Sequence, residues 1–149
     1  MVKNKKDSGQ ALVEFALVVP LLLLVIFGTI EFGRIYHAQL TVASAAREGA
    51  RKAAVTSDTN EIETAIENAA ATLNITTVTS NSSITTYPTV CPSSGQLFYY
   101  IVYPDGSRQI SHPVEVYIRG RVDVMVPIIS NLIGTPKPLS SQAEMMVEY

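Results

Sequence analysis

The chain has 149 residues, 47% hydrophobic and 16% charged, enough for one domain and short of two. Its 11 basic against 13 acidic side chains give a net charge of −2, which excludes the basic excess that neutralising a nucleic-acid backbone requires. One cysteine, Cys91, and two histidines, His37 and His112, exclude an intrachain disulfide scaffold and a structural zinc site.

The first element is apolar. From Ala11 to Ile30 the sequence reads ALVEFALVVPLLLLVIFGTI, 20 residues with one charge, and a helix of about that length crosses the roughly 30 Å hydrocarbon core of a bilayer. Lys3, Lys5 and Lys6 against Asp7 precede it, so the positive-inside bias keeps the N-terminal head in the cytoplasm and sends the C-terminal part outside. A cleavable secretory signal is the rival, with Ala43-Ser44-Ala45 as small residues for a peptidase. Those residues stand too far downstream, with Glu31 and Arg34 intervening.

Glu14 sits inside the apolar run, where an ionised acid costs about 2.5–3.5 kcal/mol at the bilayer centre and less near the interface. Pro20 removes a backbone donor and is expected to kink or loosen the preceding turn. The helical pattern continues beyond the apolar run: Glu31 with Arg34, and Glu48 with Arg51 and Lys52, stand at spacings that support an exposed helix. A helix from Gln10 to Ala54 would form a stalk of about 68 Å at 1.5 Å per residue. Ala45, Gly49 and Ala53 recur every fourth position, as do Ala46, Ala50 and Ala54, so another backbone can approach closely there. The partner on this face is either the chain's own sheet or another subunit.

Thr56 to Asn60 is a turn-rich break. Ile62, Ala65, Ile66, Ala69, Ala70 and Leu73 then follow helical spacing, with Asp58 or Thr59 as the cap and acids in the first turns to suit the helix dipole. Residues 74–88 turn to Thr and Ser with spaced apolar residues, consistent with an exposed strand and a loop; Asn74-Ile75-Thr76 and Asn81-Ser82-Ser83 have the form of glycosylation sequons.

Leu97 to Tyr103 is a buried-strand candidate, and Pro104-Asp105-Gly106-Ser107 reads as a turn. Val114, Val116, Ile118, Gly120, Val122 and Val124 alternate with Glu115, Tyr117, Arg119, Arg121 and Asp123, the period of a strand with one wet face. Val126 to Ile133 is a brief helix that covers the sheet or touches the membrane, and a last strand runs from Ser141 to Tyr149. The fold class is α+β: a long N-terminal transmembrane helix, a second helix and a small antiparallel sheet of three or four strands.

No residues assemble a recognisable catalytic group. There is no phosphate loop, no GxSxG and no HExxH, and the two histidines carry no motif. Tyr99, Tyr100 and Tyr103 read as sheet packing rather than a ligand site, and Cys91, in a Pro-rich loop, as a small buried residue or, if exposed, one that pairs between chains. The chain reads as a non-enzyme without cofactor or metal.

The junction Ser8-Gly9-Gln10-Ala11-Leu12-Val13-Glu14-Phe15, a basic leader ending in Gly with Glu as the fifth residue after it, resembles a type IV prepilin processing site. With Pro20, Phe27-Gly28, Glu31-Phe32-Gly33-Arg34 and Ala45-Ala46-Arg47-Glu48-Gly49-Ala50-Arg51, the chain from Gly9 to about Ala54 resembles the TadE-like family of the Tad (Flp) pilus. The resemblance implies that a membrane-embedded prepilin peptidase cuts between Gly9 and Gln10 on the cytoplasmic side, and that Glu14-Phe15 is the recognition pair. The cut would remove three lysines and one aspartate, leaving a net charge of −4. It would also create an ammonium group at Gln10 one turn from Glu14, and the same group on a neighbouring subunit offers a second partner.

The divisions implied are a leader at 1–9, a TadE-like helix at 10–54 and an extracytoplasmic α+β domain at 55–149. The function implied is that of a minor pilin or pseudopilin in assembly of a Tad-type pilus or related secretion system. Its partners would be the prepilin peptidase, other pilus subunits, an inner-membrane assembly platform and the lipid bilayer. The alternative is an uncleaved signal-anchor protein whose outer domain binds a ligand or partner.

Overall fold

The computed structural model describes residues 5–73, 77–80, 93 and 95–148. Helix α1 spans Lys5–Val55, 51 residues and about 76 Å at 1.5 Å per residue. It begins four residues before the Gly9-Gln10 junction and runs through Pro20 without interruption. The expected sequons and Cys91 lie outside the described residues, as does Tyr149.

Helix α2, Thr59–Ala70, starts where Asp58 accepts a hydrogen bond from the Asn60 backbone N–H at 2.9 Å, which satisfies one of the unpaired donors of the first turn. A 3₁₀ turn, Ala71–Leu73, ends it. The remaining elements are β1 Thr77–Ser80, β2 Gln96–Val102, β3 Pro113–Val122, α3 Pro127–Ile133 and β4 Lys137–Met146.

The four strands form one sheet in the order β1-β2-β3-β4. The β2-β3 and β3-β4 pairs are antiparallel, with Tyr99 opposite Ile118 and Ile118 opposite Ser141, whereas β1 joins β2 in parallel. Between β2 and β3, the Gly106 N–H donates to the Tyr103 carbonyl at 2.9 Å, and Gly106 takes the left-handed φ of 86° that glycine adopts without a Cβ clash. The last strand begins at Lys137, four residues before the expected start.

Alternation along β3 turns Val114, Val116, Ile118 and Gly120 to one face, and that face is covered by α1, with Ile62 and Ile66 of α2 in the same core. The core joins Ala38, Val42, Ala45, Ala46, Ala50 and Ala53 of α1 to Ile62 and Ile66 of α2 and to Leu97, Tyr99, Val116 and Leu139 of the sheet. Period-two geometry also divides the three tyrosines read as sheet packing between the two faces. Tyr99 lies in this core and Tyr103 packs against it, while Tyr100 is buried outside it.

Only the distal half of α1 takes part in this packing. From Gly9 to Ile30 none of its side chains is buried, and Leu12, Leu17, Leu21 and Ile30 are each at least 60% exposed. The small domain therefore carries a bare apolar rod at one end.

Candidate processing and assembly segment

The junction residues sit on the bare rod. Gly9 and Gln10 are exposed and lie inside α1, and no atom approaches within 4 Å of where a Cβ on Gly9 would stand. Gln10 Nε2 donates to Glu14 Oε1 at 3.2 Å, one helical turn along the same face. Phe15 is 67% exposed. Gly9, Gln10, Glu14 and Phe15 thus occupy one continuous, uncovered stretch of helix.

The small residues have the opposite surroundings. Ala45, Ala46, Ala50 and Ala53 have no exposed surface, and a Cβ on Gly49 would stand 2.9 Å from Ile66 Cγ1 and 3.2 Å from Val116 Cγ1. Of the two partners open to this face, the chain's own α2 and sheet occupy it. Absence of a side chain at Gly49 lets α1 seat between them.

At the lower end of the domain a carboxylate joins the two halves. Glu31 is 2% exposed and its Oε1 accepts from Arg34 at 2.6 Å and from the Met125 backbone N–H at 3.2 Å. Arg34 also donates to the Asp123 carbonyl. The i,i+3 pair that reads as support for an exposed helix is therefore a tertiary contact. Spacing alone gave no sign of this, because the third partner is a backbone amide 94 residues away. A charged pair this close to an apolar run was the available signal.

Glu48 and Arg51 do form an exposed pair at 2.5 Å, and the Arg51 hydrogen bond holds the Glu48 carboxyl below its usual range against the opposing effect of burial. Lys52 instead reaches across to Glu61 on α2 at 2.8 Å. Two shallow depressions, one over Tyr117, Arg119 and Gln142 on the outer sheet face and one over Glu48, Lys52 and Glu61 between the helices, are open to solvent and lined by such polar groups.

Residues 9–51 match the family model described as TadE-like protein. The match begins at Gly9 and ends within α1, so it takes in the bare rod, the Glu31–Arg34 pair and most of the small-residue face. No curated protein and no solved structure matches the chain.

Proposed function

We propose, from the TadE-like segment at residues 9–51, that this chain is a single-pass membrane protein acting as a minor pilin or pseudopilin in assembly of a Tad-type pilus or related secretion system. The carrying observation is the coincidence of that match with an apolar helix whose spanning part is wholly uncovered by its own domain. Some 20 apolar residues left in water would be a severe liability; in lipid, or against sister helices, they are satisfied. In this reading residues 1–9 are a cytoplasmic leader, 10–54 the TadE-like helix and 55–149 an extracytoplasmic domain.

Prepilin peptidase would cut between Gly9 and Gln10. The exposure of both residues supports access, and glycine lowers the cost of unwinding the turn by about 1 kcal/mol relative to alanine. The new α-ammonium at Gln10 would lie about 6 Å along the axis from Glu14, near enough to offset the charge of that carboxylate in an apolar setting. Glu14 would use the same attraction to fix the register of a neighbouring subunit, with Phe15 beside it. The partners would then be the peptidase, other pilus subunits, the inner-membrane platform and the bilayer.

One observation favours the uncleaved signal-anchor reading. The Gly9-Gln10 bond lies within helix rather than in an extended segment. Mass spectrometry of the N-terminus, in cells with and without active peptidase, separates the two readings.

A further inference from the structure

The connection between β3 and β4 leaves the folded domain at the end nearest the apolar rod. Arg34 and Glu31 of α1 bind the Asp123 carbonyl and the Met125 N–H, whereas the opposite end of the sheet is marked by Glu148, whose N–H donates to the Ala54 carbonyl at 2.9 Å. Residues 124–136 contain no charged side chain, and Asp123 and Lys137 bracket them. Within this stretch Val124 and Ile129 are buried and anchor it, and Val124 N–H donates to Thr135 Oγ1 at 3.0 Å, closing its base.

The outward side of the same stretch is mostly apolar, with Asn131 the exposed polar side chain of α3. Met125 is 72% exposed, Ile128 69% and Leu132 78%, with Ile128 and Leu132 one turn apart on α3. Helices that lie in the membrane interface present such an apolar side to the acyl chains. Counting about 30 Å from Ala11 ends the hydrocarbon span near Ile30, one residue before the carboxylate that holds the connection. Phe32 and Tyr36, stacked with centroids 6.2 Å apart, stand just beyond, where aromatic rings suit the headgroup layer.

We propose that Met125–Ile133 is a membrane-contact foot: α3 lies in the outer interface of the same bilayer that α1 crosses, inserting Met125, Ile128 and Leu132 among the lipids. The occupant is a lipid surface because Glu31, one residue past the apolar rod, ties this face to the rod's end through the Met125 N–H. The foot gives the domain two attachments to the membrane, which restricts its tilt about α1. It rests on the membrane-spanning reading of residues 11–30.

The chain contains no tryptophan, so a single introduced one reports its own surroundings. Full-length Leu132→Trp, Ile128→Trp, Val18→Trp and Ile110→Trp proteins are reconstituted in phosphatidylcholine vesicles containing lipid spin-labelled either near the headgroup or at mid-chain. Ile110, 65% exposed beyond the other end of the sheet, is the distant control. The expected result is loss of Val18→Trp emission with mid-chain label, loss of Leu132→Trp and Ile128→Trp emission with the headgroup-proximal label, and no loss for Ile110→Trp. Quenching at Val18 with neither α3 reporter quenched overturns the foot while leaving the span intact. Unquenched but blue-shifted α3 reporters whose shift grows with protein-to-lipid ratio would place a second copy on this face, and also overturn it. An unquenched Val18→Trp overturns the span, and the foot with it.

Discussion

Glu31 accepts a hydrogen bond from the Met125 backbone N–H at 3.2 Å, joining the end of the apolar rod to the β3–β4 connection. With 2% of its surface exposed, Glu31 has little water to replace that donor or the Arg34 guanidinium if either is lost.

Glu31→Ala is therefore expected to destabilise the folded domain by about 2 kcal/mol, the range for a buried hydrogen bond to a charged group. The half-exposed Arg34 side chain keeps the loss below that of a fully buried pair. Glu48→Ala, which breaks an exposed pair, is expected to cost no more than about 0.5 kcal/mol. Thermal unfolding of the detergent-solubilised proteins checks the order, and equal losses would contradict the role given to Glu31.

Two glycines of α1 should respond with opposite signs to alanine. At Gly33 nothing lies within 4 Å of the new methyl group, and helix propensity favours alanine by about 1 kcal/mol. At Gly49 the methyl meets Ile66 Cγ1 at 2.9 Å, and overpacking of about 1–3 kcal/mol exceeds that gain. Gly33→Ala is expected to raise Tm and Gly49→Ala to lower it. A rise for both would mean that α1 does not seat closely on α2 and β3.

Much of this packing is legible in the sequence because it follows strict periods. Val114, Val116 and Ile118 declare their face by alternation, and Ile62, Ile66 and Ala70 declare theirs by fourfold spacing. The start of β4 is not legible in this way. Pro138 argues against a strand, yet an edge strand tolerates the missing N–H, and β4 is an edge. Nor does a run of Thr and Ser at β1 say whether its partner runs parallel, since pairing direction is set by the route of the chain and not by local pattern. The exposure of Gly9, Gln10, Glu14 and Phe15 follows from their place in or beside an apolar run. The burial of Glu31 depends on a backbone partner from the far end of the chain, which no local spacing encodes.

The Glu48 carboxyl is held low by its hydrogen bond to Arg51 and by the nearby positive charge. Because its folded-state pKa is depressed, the stabilisation is present above the usual carboxylate value of 4.5 and fades as pH falls through the lowered one. A carbon-detected NMR titration should show Glu48 protonating at lower pH than an unpaired glutamate, and Arg51→Gln should move it back up. An unchanged midpoint in Arg51→Gln would contradict this cause.

Glu14→Ala removes the exposed carboxylate that Gln10 contacts while leaving the domain core untouched. Membrane insertion is expected to persist, since an acid within the apolar run opposes insertion. Under the proposed pilin role, its recovery with pilus subunits in detergent pull-downs is expected to fall about tenfold, the equivalent of 1.4 kcal/mol of subunit pairing. Undiminished recovery would remove Glu14 from assembly.

Processing as a prepilin turns on the bond after Gly9. The N-terminal residue of the membrane-extracted protein is determined by mass spectrometry, from cells with and without active prepilin peptidase. The expected result is a protein beginning at Gln10 only when the peptidase is active. A leader retained in both samples would contradict it and leave the chain an uncleaved signal-anchored protein.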